Sequence, residues 1–120
     1  MAKKHYTLTL TAEDDFRKAK RWSSARWGNE LTQQYFKDLH EAAENIAQNQ
    51  KSISHKAYLS RVEGLEIAVV KEHYLVYVPV KKNHIIIIAL LRQTQDVPAI
   101  LEANSFIIQR EVKDALKSIE

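Results

Sequence analysis

LEIAVVKEHYLVYVPVKKNHIIIIALL, residues 65–91, is the stretch on which the fold turns. Residues 65–70, 74–80 and 85–91 are three short runs of aliphatic, β-branched and aromatic side chains, the types that suit a pleated and packed surface. Between them stand Lys71-Glu72-His73 and Lys81-Lys82-Asn83-His84. Links that short join neighbouring strands antiparallel, so the stretch predicts a three-stranded meander. Ile85-Ile86-Ile87-Ile88 is apolar at every position, so both faces of that strand need cover and it belongs near the middle of the sheet.

Upstream, residues 6–10 alternate Tyr-Thr-Leu-Thr-Leu, as a short strand with one buried face does; it either pairs beside the isoleucine strand or takes an edge. Thr11, ahead of Ala12-Glu13-Asp14-Asp15, reads as the N-cap of a helix whose acidic first turn suits the helix dipole. Ala12, Phe16, Ala19 and Trp22 make its apolar stripe, and Gly28-Asn29 ends it. From Glu30 to about Gln48, Leu31, Tyr35, Leu39, Ala42 and Ile46 recur at helical spacing, widened by Phe36, Ala43 and Ala47. The two helices form an antiparallel hairpin, with Trp22, Trp27, Tyr35 and Phe36 expected at its seam with the sheet rather than as a surface for stacking on bases. Residues 51–58 show no period and read as a loop.

Downstream, Asp96-Val97-Pro98-Ala99 opens a helix, with the aspartate as cap and the proline in the first turn. Ile108, Val112, Ala115 or Leu116, and Ile119 give it one stripe. The fold class is therefore α+β: an N-terminal strand, an antiparallel helical hairpin, a three-stranded antiparallel meander and a C-terminal helix. A chain of 120 residues, 45% hydrophobic, has material for one core, so residues 1–120 are expected to form one domain with 102–120 as a C-terminal helical extension.

Composition narrows the function classes. Without cysteine there is no disulfide and no thiolate metal site, and a cytoplasmic setting is expected. The opening residues lack the apolar run of a secretory signal, and residues 85–91 are too few to span a bilayer, so no membrane role is expected. Two glycines cannot build a phosphate-cradling loop. His40, Glu41 and Glu44 share a helix but lack a second histidine at helical spacing, so neither a metal nor any other cofactor is expected. The serines show no recognisable triad arrangement. A formal charge of +3 permits an acidic partner without demanding one.

The order of elements resembles the RelE/ParE toxin superfamily of type II toxin–antitoxin systems. Residues 8–15, LTLTAEDD, are similar to that family's opening strand and Ala-x-x-Asp helix start. Residues 90–101, LLRQTQDVPAIL, resemble its last strand and exit, and Asp96-Val97-Pro98 is closer to the ParE branch. Tyr74-Leu75-Val76-Tyr77-Val78-Pro79-Val80 is similar to its strand of alternating aromatic and aliphatic residues. The likeness covers about residues 6–101. The chain departs from the pattern at Arg92, where ParE-like chains often carry histidine, and lacks an arginine near Tyr74.

The resemblance implies a toxin, neutralised by a cognate antitoxin whose disordered tail folds over the hairpin and sheet, acting alone or as a homodimer. For the ParE branch it implies poisoning of DNA gyrase by trapping a DNA cleavage complex, without catalysis. For the RelE branch it implies a ribosome-dependent endoribonuclease that cleaves mRNA through the ribose 2′-hydroxyl. Such cleavage needs cations for the pentavalent phosphate and a group that moves protons. The candidates are Lys51, His55, Lys56 and Arg61 before the meander and Arg92 at the end of its last strand. No aromatic follows Arg92 closely, and this favours the gyrase reading. Arg17, Lys18, Lys20, Arg21 and Arg26 lie mostly off the first helix's apolar stripe; they form either a solvated face or a contact for DNA, gyrase or an acidic antitoxin segment.

Overall fold

The isoleucine run forms β4 (His84–Arg92), an inner strand, buried from Ile85 to Leu91, of a four-stranded sheet. The computed structural model describes residues 5–48, 65–81 and 84–119, so the expected loop of residues 51–58 lies outside the described residues. In chain order the other elements are β1 (Tyr6–Leu8), α1 (Leu10–Trp27), α2 (Asn29–Gln48), β2 (Glu66–Val70), β3 (His73–Lys81), α3 (Val97–Ala103) and α4 (Ser105–Ile119). The sheet order is β1-β4-β3-β2, with the meander antiparallel and β1 parallel to β4. Both positions considered for the first strand therefore hold at once: β1 pairs with β4 and forms an edge.

Both faces of β4 are covered, as its composition demands. Ile85, Ile87 and Leu90 face one core together with Leu75, Tyr77, Ala68 and Val70, under Phe16, Phe36, Leu39 and Ile46 of the hairpin. Ile86, Ile88 and Leu91 face a second core with Ile67 and Val76, closed by Val97, Leu101, Ile108 and Ala115 of α3 and α4. A bulge makes this division possible. Val76 pairs with Ala89 and Tyr77 with Ile87, so Ile88 is the extra residue that resets the alternation. Each buried isoleucine contributes about 1.5–3 kcal/mol of apolar transfer, which ties the sheet to both layers.

The cap of α1 lies two residues before the expected one. Thr9, not Thr11, accepts from the Ala12 N–H at 3.2 Å, so β1 stops at Leu8 and Leu10 becomes helical. At the other end Gly28 adopts φ 86°, a conformation costly for any side chain, and its N–H closes on the Ser24 carbonyl at 3.0 Å. α2 starts at once, with the Thr32 hydroxyl donating to the Gly28 carbonyl at 2.8 Å. Its buried stripe is Thr32, Phe36, Leu39, Ala43, Ile46 and Ala47; Leu31, expected on the stripe, is 65% exposed. The helix is rotated by about one residue from the expected face, because Thr32 satisfies its hydroxyl locally and can be buried without penalty.

Asp96 caps α3, accepting from the Ala99 N–H, with Pro98 in the first turn. The single C-terminal helix expected is two. Asn104 interrupts it, its side-chain amide donating to the Ile100 carbonyl at 2.7 Å, and α4 folds back over β4. Glu111 of α4 accepts from both the N–H and the hydroxyl of Thr11, at 2.8 and 2.6 Å, so α4 is tied to the first turn of α1. Among the described residues no helix is long and apolar enough to cross a membrane.

Candidate functional site

Where β1 ends, the outer edge of β4 is taken over by α1, and a cleft of about 250 Å³ opens between the helix and the strand's end. Asp15, Lys18, Ala19 and Trp22 form its helical wall; His73, Leu90, Leu91, Arg92 and Gln95 form the other. Arg92 stands at the rim. Its backbone N–H donates to Gln95 Oε1 at 2.7 Å, and its guanidinium lies 5.2 Å from the Trp22 ring centre. The Arg26 guanidinium lies 4.6 Å from the same ring. Two cations thus share one indole, an attraction between positive charge and the negative face of the ring.

Trp22 is 36% exposed, which corrects its expected place in the seam. Only Phe36 of the four aromatics is fully buried; Tyr35 and Trp27 are half-buried. The four nonetheless run as one chain of ring contacts, Trp22 to Trp27 at 5.8 Å, Trp27 to Tyr35 at 5.4 Å and Tyr35 to Phe36 at 5.8 Å. Arg26, one turn beyond Trp22, and Arg92, at the end of β4, both lie against the exposed indole. Their charges cannot follow it into the core.

Among the described residues, the titratable side chains that line this cleft beside Arg92 are His73, Asp15 and Lys18, and each is already engaged. His73 is buried, pairs in register with Arg92, and its Nδ1 lies 2.6 Å from the Tyr35 hydroxyl. That hydroxyl accepts from the Glu72 N–H at 3.2 Å, leaving its own proton for His73. Desolvation, with Arg92 adding to it and Glu72 opposing it, holds the His73 pKa below the ordinary value, so the ring is neutral. Asp15 accepts from the Leu90 N–H at 3.1 Å, and burial raises its pKa. Lys18 is paired with Asp14 at 2.9 Å. Of the expected ribonuclease candidates, Arg92 is placed at this cleft; Lys51, His55, Lys56 and Arg61 lie outside the described residues.

The other sequence signals resolve into local structure. The His40 ring nitrogen meets the Tyr6 hydroxyl at 2.6 Å, and Glu44 pairs with His5 at 2.9 Å. Among the described residues no three potential ligands gather around a metal position. Ser23 is wholly buried. Arg17, Lys18, Lys20, Arg21 and Arg26 are all exposed, as their places off the stripe require. His73 and Asp15 were not legible as site residues: the first sits in a turn-like tripeptide, and the second reads as first-turn dipole compensation.

A family model described as "ParE toxin of type II toxin-antitoxin system, parDE" matches residues 6–97. The chain belongs to the ParE toxin family. A solved structure, the chromosomal ParDE TA system from P. aeruginosa, is similar at 18% identity with a TM-score of 0.61, covering 74% of this chain and 95% of that one. The YoeB-YefM complex from Staphylococcus aureus aligns at 21% identity with a TM-score of 0.48, covering 77% and 99%. Among functionally curated proteins no relative is found. The first structural likeness is one of fold. The ParE match begins at β1 and closes at the first residue of α3, so it includes Trp22, His73 and Arg92, and α4 lies beyond it.

Proposed function

We propose that this chain is the toxin of a type II toxin–antitoxin pair, that it acts by holding DNA gyrase in its cleavage complex without chemistry of its own, and that a cognate antitoxin neutralises it. The observation that carries the reading is the ParE family match over residues 6–97. The cleft beside Arg92 supports it: His73 and Asp15 are committed to Tyr35 and to the β4 edge, and Lys18 to Asp14. A phosphodiester-cleaving site needs a base and an acid free to reach the reacting oxygens. What the described residues of the cleft present to solvent is fixed positive charge and an aromatic face, the equipment of a binding surface.

The test is supercoiling and cleavage of plasmid DNA by purified gyrase with the purified chain added. Linearised plasmid after detergent and protease treatment, or loss of supercoiling, is the expected result, reversed by the antitoxin. Unaffected gyrase, together with site-specific mRNA cuts in a ribosome-containing translation reaction, would overturn the proposal in favour of a RelE-type ribonuclease.

A further inference from the structure

The C-terminal half of α1 is a segregated run of positive charge. Residues 16–28, FRKAKRWSSARWG, hold five cations and no acid, whereas the acids of the helix, Glu13, Asp14 and Asp15, all stand at its other end. Asp14 compensates Lys18 at 2.9 Å and Arg17 at 3.6 Å. Lys20, Arg21, Arg26 and, across the cleft, Arg92 form no ion pair with a described carboxylate. A net charge of only +3 hides this concentration.

The cations surround the helix's exposed half. At 100° per residue, Arg17 and Arg21 crest the surface, Lys20 lies on one flank, and Trp22 and Arg26 lie on the other. The surface agrees: Arg17, Lys20, Arg21 and Ser24 line one shallow depression, and Lys18, Trp22 and Arg92 line the cleft on the opposite flank. From Arg17 to Arg26 the helix rises about 14 Å, roughly four base-pair steps measured along the axis of a duplex. Positive charge on both flanks of a helix matches two phosphate backbones bordering a groove; a single extended acidic peptide would meet one flank. The guanidiniums of Arg26 and Arg92, lying against the Trp22 ring, keep their in-plane N–H donors free for phosphate oxygens and are ordered before binding.

We infer that the exposed half of α1, with Arg92, is a binding site for the phosphate backbone of duplex DNA. The inference rests on the gyrase reading in placing the toxin against DNA at all, and it adds that the toxin touches the nucleic acid as well as the enzyme. Four uncompensated cations give a slope of log affinity on log salt of about −3 to −4, so affinity falls roughly a hundredfold between about 50 and 200 mM salt.

Fluorescence anisotropy of a labelled duplex titrated with the full chain over that salt range tests it, with circular dichroism to show that each variant is folded. Arg26→Ala combined with Arg92→Ala should shallow the slope by about 2, whereas Lys37→Ala with Lys113→Ala, exposed cations of α2 and α4, should leave it unchanged. A duplex that does not bind at low salt overturns the inference, and so does an unchanged slope in the Arg26/Arg92 variant. So does a poly-glutamate peptide that binds where the duplex does not. A wild-type chain that poisons gyrase without binding duplex sinks this inference alone; one that binds duplex with the expected slope and leaves gyrase untouched supports it and sinks the gyrase reading.

Discussion

The backbone N–H of Leu90 donates to the Asp15 carboxylate at 3.1 Å, so a side chain of α1 stands where a further strand residue would be. β1 pairs only as far as Ile87, and a buried strand edge must find partners elsewhere. Burial is the larger influence on Asp15 and raises its pKa; the Leu90 hydrogen bond pulls the other way. A carboxyl whose folded pKa is raised binds its proton more tightly when folded. Its stabilising contribution is therefore present at low pH and lost as pH rises through the folded value. Asp15→Asn keeps a carbonyl acceptor and removes the desolvated charge, so near neutral pH it should be at least as stable as the native chain. Asp15→Ala leaves the N–H unpaired and should lose about 1–3 kcal/mol. Urea midpoints compare the three, and equal losses in both variants would show that the charge itself is stabilising.

His73 makes the opposite prediction for acid. Its folded pKa is lowered, chiefly by desolvation, so the unfolded chain takes up the proton first. The stability it contributes is present above the unfolded value of 6.5 and is lost as pH falls from there toward the folded value. His73→Gln should remove this component. The difference in urea midpoint between native and variant should narrow on going from about pH 7.5 to pH 5.5. A difference that stays constant across that range would mean the ring is not held neutral.

Pattern and propensity made the sheet legible because β4 is apolar at every position and its links are too short for anything but hairpins. The sequence does not distinguish the cap of α1, because Thr9 and Thr11 are both plausible acceptors ahead of an acidic turn; in the fold Thr9 caps the helix and Thr11 donates to Glu111, one hundred positions away. Apolar spacing favours Leu31 over Thr32 on the stripe of α2, and it cannot reveal that Thr32 hides its hydroxyl against Gly28. The break at Asn104 has no glycine or proline to mark it. At the site, Arg92 and the cations of α1 were visible as residue types, but their meeting on Trp22 and the engagement of His73 by Tyr35 are long-range contacts without a local signature.

Glu111 is the clasp between α4 and the rest of the fold. Its two oxygens accept from the Thr11 N–H and hydroxyl, at the helix end where negative charge is favoured. Glu111→Ala should lower stability by about 1–3 kcal/mol, and Glu111→Gln, which keeps one acceptor but no charge, by less. Limited proteolysis should cut the alanine variant first near Asn104, ahead of global unfolding. A protease pattern identical to that of the native chain would mean the apolar face of α4 holds it without the clasp.

Trp22 tests whether the arginines on it are held in readiness or merely attracted to the nearest ring. In Trp22→Leu the flank stays apolar and all four uncompensated cations remain, so the number of phosphates engaged, and with it the salt slope, should not change. The guanidiniums of Arg26 and Arg92 lose the ring they lie against, and each such contact at an exposed site is worth about 0.5–1 kcal/mol. Affinity for duplex should therefore fall by up to roughly thirtyfold at every salt concentration, because the ordering that the indole provides must be supplied on binding. A parallel line displaced downward on the log–log plot is the expected result. A change of slope instead would make the indole part of the phosphate contact, and coincident lines would mean that ordering these side chains contributes nothing.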